Sequence, residues 1–322
     1  MAADTKLVYS YMSPFLKEGE GWLKKKIKFP DKQKMILNIP NYIMLAPAII
    51  YIVVFGFYPV ISGLKMSFYD IKLVGGGTFI GLSNFKKLFQ DQAFWSALKN
   101  TFIFAFWNCL LGVLLSLAVT ILLNEIRKIL VKRLVQTVIY LPNLLSWVVV
   151  GSSFMFLLSP TVGPVNQILQ KFGREAIYFF GETSIARALI IFINQWKITG
   201  YGVVIYMAAL VGISTDQYEC ATLDGAGRFQ QIWYITIPNL QGTIMTMLML
   251  NVMGMFQLFD PIYVMSNRIT QSQTDVLMTY IYRTSLGKAK LGPGAASSTI
   301  LMLIALAFTL VTKKITNYGV DD

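Results

Sequence analysis

The chain has 322 residues, of which 55% are hydrophobic and only 14% charged, with a net charge of +12 and a mean hydropathy of +0.57. Soluble domains carry about a quarter of their residues charged, so this composition excludes a soluble enzyme with one anchor and points to a polytopic membrane protein. There is no histidine, and the two cysteines are Cys109 and Cys220; a zinc site, a Ser-His-Asp triad, a histidine proton relay and a disulfide framework are not expected.

Residues 1–41 read as a basic cytoplasmic tail with eight lysines, including the run Lys24, Lys25, Lys26 and Lys28 between Trp22 and Phe29. Basic and aromatic residues together suit an anionic cytoplasmic leaflet, so membrane lipid rather than nucleic acid is the expected partner. The tail is too long and too weakly apolar for a signal peptide. The membrane domain is expected over 42–312, with a second tail at 313–322. Six apolar stretches reach or approach the length of a span: Tyr42–Leu64, Phe102–Leu123, Val135–Leu158, Ala188–Ile213, Leu240–Phe259 and Ala296–Thr312. Their length and number predict an all-α protein. The loop 124–134 packs Arg127, Lys128, Lys132 and Arg133 into eleven residues, and Lys313 and Lys314 follow the last span. Such density marks the cytoplasmic side and puts both termini there, together with the loop after the fourth span.

The opposite side carries longer loops, roughly 65–100, 159–187 and 260–295. Within the first, 83–98 suggests an amphipathic helix with Ser83 as N-cap, preceded by a flexible turn at Gly75–Gly77. The loop is either a solvated connector or a docking place for an external partner.

The stretch 218–238, YECATLDGAGRFQQIWYITIP, lies between two spans. Ser214-Thr215-Asp216-Gln217 has the form of a capping box, so a helix is expected from there to about Asp224. Gly225 suits the left-handed residue that ends a helix, and Ala226 and Gly227 leave room for close approach. A second helix is expected over Arg228–Ile237, bounded by Pro238. On composition alone the acids Glu219 and Asp224 could simply face water in a capped turn. The full pattern, however, closely resembles the EAA loop of the membrane subunits of bacterial ABC importers. Glu219, Ala221, Asp224, Gly225, Ala226, Ile235 and Pro238 match its consensus, while Cys220 and Ile237 depart from it with small or apolar side chains.

The resemblance covers most of the chain. GLSNFKKLFQDQAFWSALKNT at 81–101 looks like the segment before the second span of sugar-importer permeases, and VQTVIYLPNLLSWVVV at 135–150 and TDVLMTYIYR at 274–283 look like the complex-polysaccharide and aldouronate branch of that family, within which an alginate importer is the specific expectation. It implies a multi-pass subunit in a bacterial inner membrane. It also implies a second homologous permease, two ATPase subunits docking on Glu219, Ala221, Asp224, Gly225, Ala226 and Gly227, an external solute-binding protein, and an oligosaccharide substrate of acidic type. The chain has no G-x-x-x-x-G-K-[ST] sequence, so no catalysis and no bound cofactor are expected of it; ATP and Mg would belong to the partner ATPases.

Polar residues inside spans are costly, and they line pathways or bind neighbouring helices. Gln195, Trp196, Tyr201, Asn251 and Gln257 supply the amides, hydroxyl and aromatic faces a saccharide needs, and Met255 shares a helix face with Asn251. Related permeases place sugar contacts on the same two helices, near Tyr201, Asn251 and Gln257. Lys197 is the cation well within a span; a substrate uronate, a lipid phosphate or an acid on a partner would each suit it. An ion-coupled secondary transporter would need titratable groups at the midplane, where no clear Asp, Glu or His is found.

Overall fold

A computed structural model describes residues 39–71 and 76–316; the expectations for the N-terminal tail, and for Gly75, lie almost wholly outside them. Contacts divide the chain at residue 61. The first unit consists, among the described residues, of most of α1 (Ile39–Met66), an apolar helix carrying Pro47 and a π-helical turn at Ile52–Phe57. The second unit holds everything from Ser62 onward.

That second unit opens with a short hairpin, β1 (Tyr69–Ile71) and β2 (Gly77–Phe79), paired antiparallel with Tyr69 opposite Phe79. The expected helix over 83–98 is two helices. The first, α2 (Ser83–Phe89), has Leu82 at its N-cap and no side-chain cap, so Ser83 does not cap it. Asp91 is the residue that caps: its Oδ1 accepts from Ala93 N at 2.9 Å and starts α3 (Gln92–Asn124). Because Asp91 restarts the helix, the amphipathic segment runs directly into the second span.

The expected third span is also two helices, α4 (Ile129–Leu144) and α5 (Trp147–Leu157), bent by 101°. Leu145 and Ser146 are extended, and Ser146 Oγ accepts from Val149 N at 3.3 Å to cap α5. A break of this kind frees carbonyls in a place where lipid cannot satisfy them. Lys197 meets that need: its Nζ donates to Asn143 O at 3.0 Å and lies 5.1 Å from the centre of the Trp147 ring. A cation is favoured at a helix C-terminus by the helix dipole as well.

After α6 (Pro164–Lys171) comes α7 (Thr183–Val211), the most buried of the long helices. It passes between α3 and α4. Both contacts are made through missing side chains. A Cβ on Gly200 would lie 2.3 Å from Ile139 O of α4, and one on Gly202 would lie 2.3 Å from Ser116 Oγ of α3. The fifth span is shorter than expected: α11 (Gln241–Gly254) has 14 residues, about 21 Å at the usual rise. The backbone then loses regular form through residues 257–259 before α12 (Asp260–Met265). The chain continues through α13 (Gln271–Thr274) and α14 (Leu277–Tyr282) to α15 (Leu291–Thr316).

Among the described residues four helices are long and apolar enough to span alone, or five if the bent pair counts as one; of the six expected spans the fifth is the one that falls short, because α11 stops at Gly254. At the end of the unit away from residues 214–238, polar ties hold α3 to the 270–282 segment. Leu277 N donates to Thr101 Oγ1 at 2.8 Å, Tyr280 OH donates to Asp91 Oδ2 at 2.6 Å, and Asn100 Nδ2 donates to Asp275 O at 2.9 Å.

The glycine contacts give a direct test. Gly200→Ala forces backbone apart and is expected to cost about 1–3 kcal/mol. Gly242→Ala, where no atom lies within 4 Å, is expected to be neutral or slightly stabilising. Thermal unfolding of the purified membrane protein reads both.

Candidate functional site

Two regions carry the expected functional residues: the polar elbow at 214–240 and a cavity within the helices.

The elbow begins as its sequence predicts. Ser214 Oγ accepts from Asp216 N at 3.2 Å, and α8 runs over Thr215–Leu223. The reciprocal arm of the capping box is not formed. Gln217 Oε1 instead accepts from Asn239 Nδ2 at 3.1 Å, which ties the two arms of the elbow together. Helix α8 ends at Asp224, and Gly225 has φ 79°. Ala226 N donates to Ala221 O at 2.8 Å and Gly225 N to Thr222 O at 3.1 Å, the paired bonds of a Schellman motif. A Cβ at Gly225 would meet nothing within 4 Å, so glycine is required there by φ and not by space.

The second arm differs from expectation at Pro238. Helix α9 (Arg228–Gln231) widens into a π-helical turn, Ile232–Thr236, before α10 (Ile237–Asn239). Ile237 N reaches back to Ile232 O, so Pro238 sits in the first turn of a new helical piece, where its missing N–H costs least. The arms are locked by buried polar ties. Gln231 is buried and its Nε2 donates to Thr222 Oγ1 at 2.9 Å and to Ala226 O at 3.3 Å. Tyr218 and Thr236 share a hydrogen bond of 2.9 Å. The outer surface is open: Leu223 is 88% exposed and Phe229 77%. Glu219, Ala226, Gly227 and Arg228 line a shallow cleft of about 590 Å³. Glu219 and Asp224 are exposed and, among the described residues, neither carboxylate holds an ion pair. Arg228 reaches toward Glu125 at the end of α3, 3.9 Å away.

Within the helices, a polar hub joins α3 to α7. Asn108 Oδ1 accepts from Asn194 Nδ2 at 2.8 Å and from Gln195 Nε2 at 2.9 Å. Gln195 Oε1 is buried without a partner. It faces Gly112, where a Cβ would also crowd Asn251 Oδ1 at 3.1 Å. Beside this hub lies a cavity of about 300 Å³ lined by Tyr201, Asn251, Met255 and Gln257, together with Asn108, Asn194, Trp147 and Asp260. Its wall at Gln257 is the non-helical stretch between α11 and α12, and irregular backbone at this depth belongs where it lines a cavity.

The structure thus gathers four of the seven substrate-pathway candidates around one cavity. The other three lie elsewhere. Trp196 is 43% exposed with its ring edge-on to Phe154 at 5.3 Å, Lys197 closes the α4 break, and Gln195 belongs to the hub and to a groove on the other side. Asn108, Asn194 and Trp147 were not singled out as cavity residues from sequence. Asn108 is one amide in an apolar run, and only its placement against α7 reveals it.

The hub also yields a prediction. Asn108→Leu strands two buried amide donors and is expected to lower stability by about 1 kcal/mol. The double variant Asn108→Leu/Asn194→Leu should cost less than the two single changes summed, as read by a double-mutant cycle in thermal unfolding.

Comparison with known proteins places these features in company. Residues 109–317 match the family described as binding-protein-dependent transport system inner membrane component. The polygalacturonan/rhamnogalacturonan transport system permease protein YteP of Bacillus subtilis is 31% identical over 286 residues, covering 88% of this chain and 89% of that one. A crystal structure of a bacterial ABC transporter involved in import of the acidic polysaccharide alginate has a chain of 31% identity and TM-score 0.83, covering 89% of this chain and 98% of its own. A second crystal structure, of a bacterial alginate ABC transporter in complex with an alginate pentasaccharide-bound periplasmic protein, gives 31% identity and TM-score 0.82, covering 88% and 96%.

Proposed function

The chain belongs to the family of inner membrane components of binding-protein-dependent transport systems, and from that premise we propose that it is a permease subunit of an importer for acidic oligosaccharides. It works beside a second homologous permease, takes substrate from an external solute-binding protein, and is driven by two separate ATPase subunits at the cytoplasmic face. It performs no covalent chemistry itself, and ATP and Mg are held by the ATPases.

The observation that carries the coupling role is the elbow at 214–240. Its first helix is capped at both ends and its arms are locked through Gln231, Tyr218 and Asn239, yet Glu219, Leu223 and Asp224 face outward. A rigid piece with a free edge can seat in a groove and act as a lever. The arms continue into α7 and α11, so movement of the elbow passes to two of the helices that line the cavity. Closure of the ATPases draws the elbows of the two permeases together. The cavity then opens outward, and hydrolysis resets it.

The polysaccharide named for each of the three relatives above is acidic. That supports an acidic substrate here. Tyr201 and Trp147 offer aromatic faces to sugar C–H surfaces, and Asn251 and Gln257 offer amides to hydroxyls. Helix α11 and the unwound segment after it position the last two.

Two measurements test the reading. Glu219→Lys and Gly225→Pro are expected to lower uptake about tenfold or more, the equivalent of about 1.4 kcal/mol of lost docking, while the membrane subunits still assemble; unchanged uptake in both variants overturns the coupling role. ATPase stimulation by the cognate binding protein should follow uronate oligosaccharides, and stimulation by neutral ones alone removes the acidic substrate.

A further inference from the structure

A groove of about 670 Å³ runs between α3 and α7 on the side away from the cavity. Its floor on α3 is Ile103, Trp107, Leu111 and Leu115, spaced by four along one helix face. Phe192 of α7, 61% exposed, forms part of the opposite wall. The apolar stripe is about 18 Å long at the helical rise, close to the depth of one leaflet of a hydrocarbon core about 30 Å thick.

Arg187 closes one end, at the end of α7 away from the elbow. Its Nε and Nη2 donate to neutral acceptors: Gln273 O at 3.0 Å, Gln273 Oε1 at 2.7 Å and Asn100 Oδ1 at 2.8 Å. Among the described residues no carboxylate pairs with it. The guanidinium is thus fixed in place by amides, carries an uncompensated charge, and stands at the mouth of an apolar channel one leaflet deep.

We infer that this groove binds one anionic phospholipid, its phosphate on Arg187 and an acyl chain along Ile103, Trp107, Leu111 and Leu115. A cation at one end and a continuous apolar stripe below it match the charge and the tail of such a molecule. Thr183, Ser184 and Gln195 also line the groove, but a saccharide lying along its length would leave hydroxyls against Ile103, Leu111, Leu115 and Ile191. This chain's own first helix, Ile39–Met66, contains no Asp or Glu, so that helix from a second copy of this chain would leave the arginine charge unanswered.

The test uses the assembled importer in nanodiscs and detergent. Native mass spectrometry with added phosphatidylglycerol or phosphatidylcholine should show phosphatidylglycerol retained about five- to tenfold better on the wild type. Arg187→Gln should abolish that preference and Arg187→Lys should keep most of it. Should Arg187→Gln fail to assemble, fluorescence decides: the part of the emission lost in Trp107→Phe should be quenched more by brominated phosphatidylglycerol than by brominated phosphatidylcholine. Equal retention of both lipids by the wild type, equal quenching, or crosslinking of Phe192→Cys to the neighbouring permease in place of lipid exposure would overturn the inference. So would a wild-type preference that Arg187→Gln leaves intact, or displacement of the lipid from the groove by a uronate oligosaccharide.

Discussion

The placement of α7 governs the rest of the membrane unit. It is held on two sides by contacts that leave no room for a side chain: Gly200 against the α4 backbone and Gly202 against Ser116 of α3. Dispersion and helix-to-helix polar bonds, not the hydrophobic effect, bind helices in lipid, so such close approach is where the binding energy is found. With α7 fixed there, Lys197 reaches the broken end of α4, and Asn194 and Gln195 reach Asn108. The same rotation turns Tyr201 toward Asn251 and Gln257 across the cavity.

The two functional regions share this helix. Its far end anchors on Asn100 and Gln273 through Arg187, its middle carries the polar hub, and its near end runs into the elbow. The elbow adds rigidity by a different route. There the backbone ends are capped by Ser214 and by the Gly225 turn, and side-chain ties replace apolar packing. The π-helical turn before Pro238 admits a proline without breaking the second arm. A lever of this kind resists bending at its corner and passes motion to α11, whose short length and unwound end place soft backbone beside the cavity. The buried, unpartnered Gln195 Oε1 lies against Gly112 of α3, as does Asn251 Oδ1 of α11.

Several details were not legible because they depend on partners distant in sequence. Ser83 and Asp91 are both acceptable caps, and Asp91, which caps Ala93 N, is also held by Tyr280 OH from 189 positions away. Gln217 fits a capping box equally well, but Asn239 competes for its amide oxygen from 22 positions away. The apolar stretch Val135–Leu158 has the length of one span; at its bend Lys197 of another helix satisfies one of the freed carbonyls, Asn143 O. In sequence that lysine suits an anion; the fold gives it a carbonyl and an aromatic face.

Composition, apolar run length and the spacing around Glu219, Asp224 and Gly225 were enough to establish a multi-helix membrane protein with an exposed polar elbow. These are local properties, set by hydropathy and by backbone preference at one glycine. Which polar residues face a common cavity and which serve as helix glue was decided by tertiary structure alone. Tyr201, Asn251, Met255 and Gln257 meet, while Gln195, Trp196 and Lys197, equally polar or aromatic and on the same helix as Tyr201, do not line that cavity. A helix presents each residue at a fixed angle, and only the neighbours packed against it determine what that angle faces.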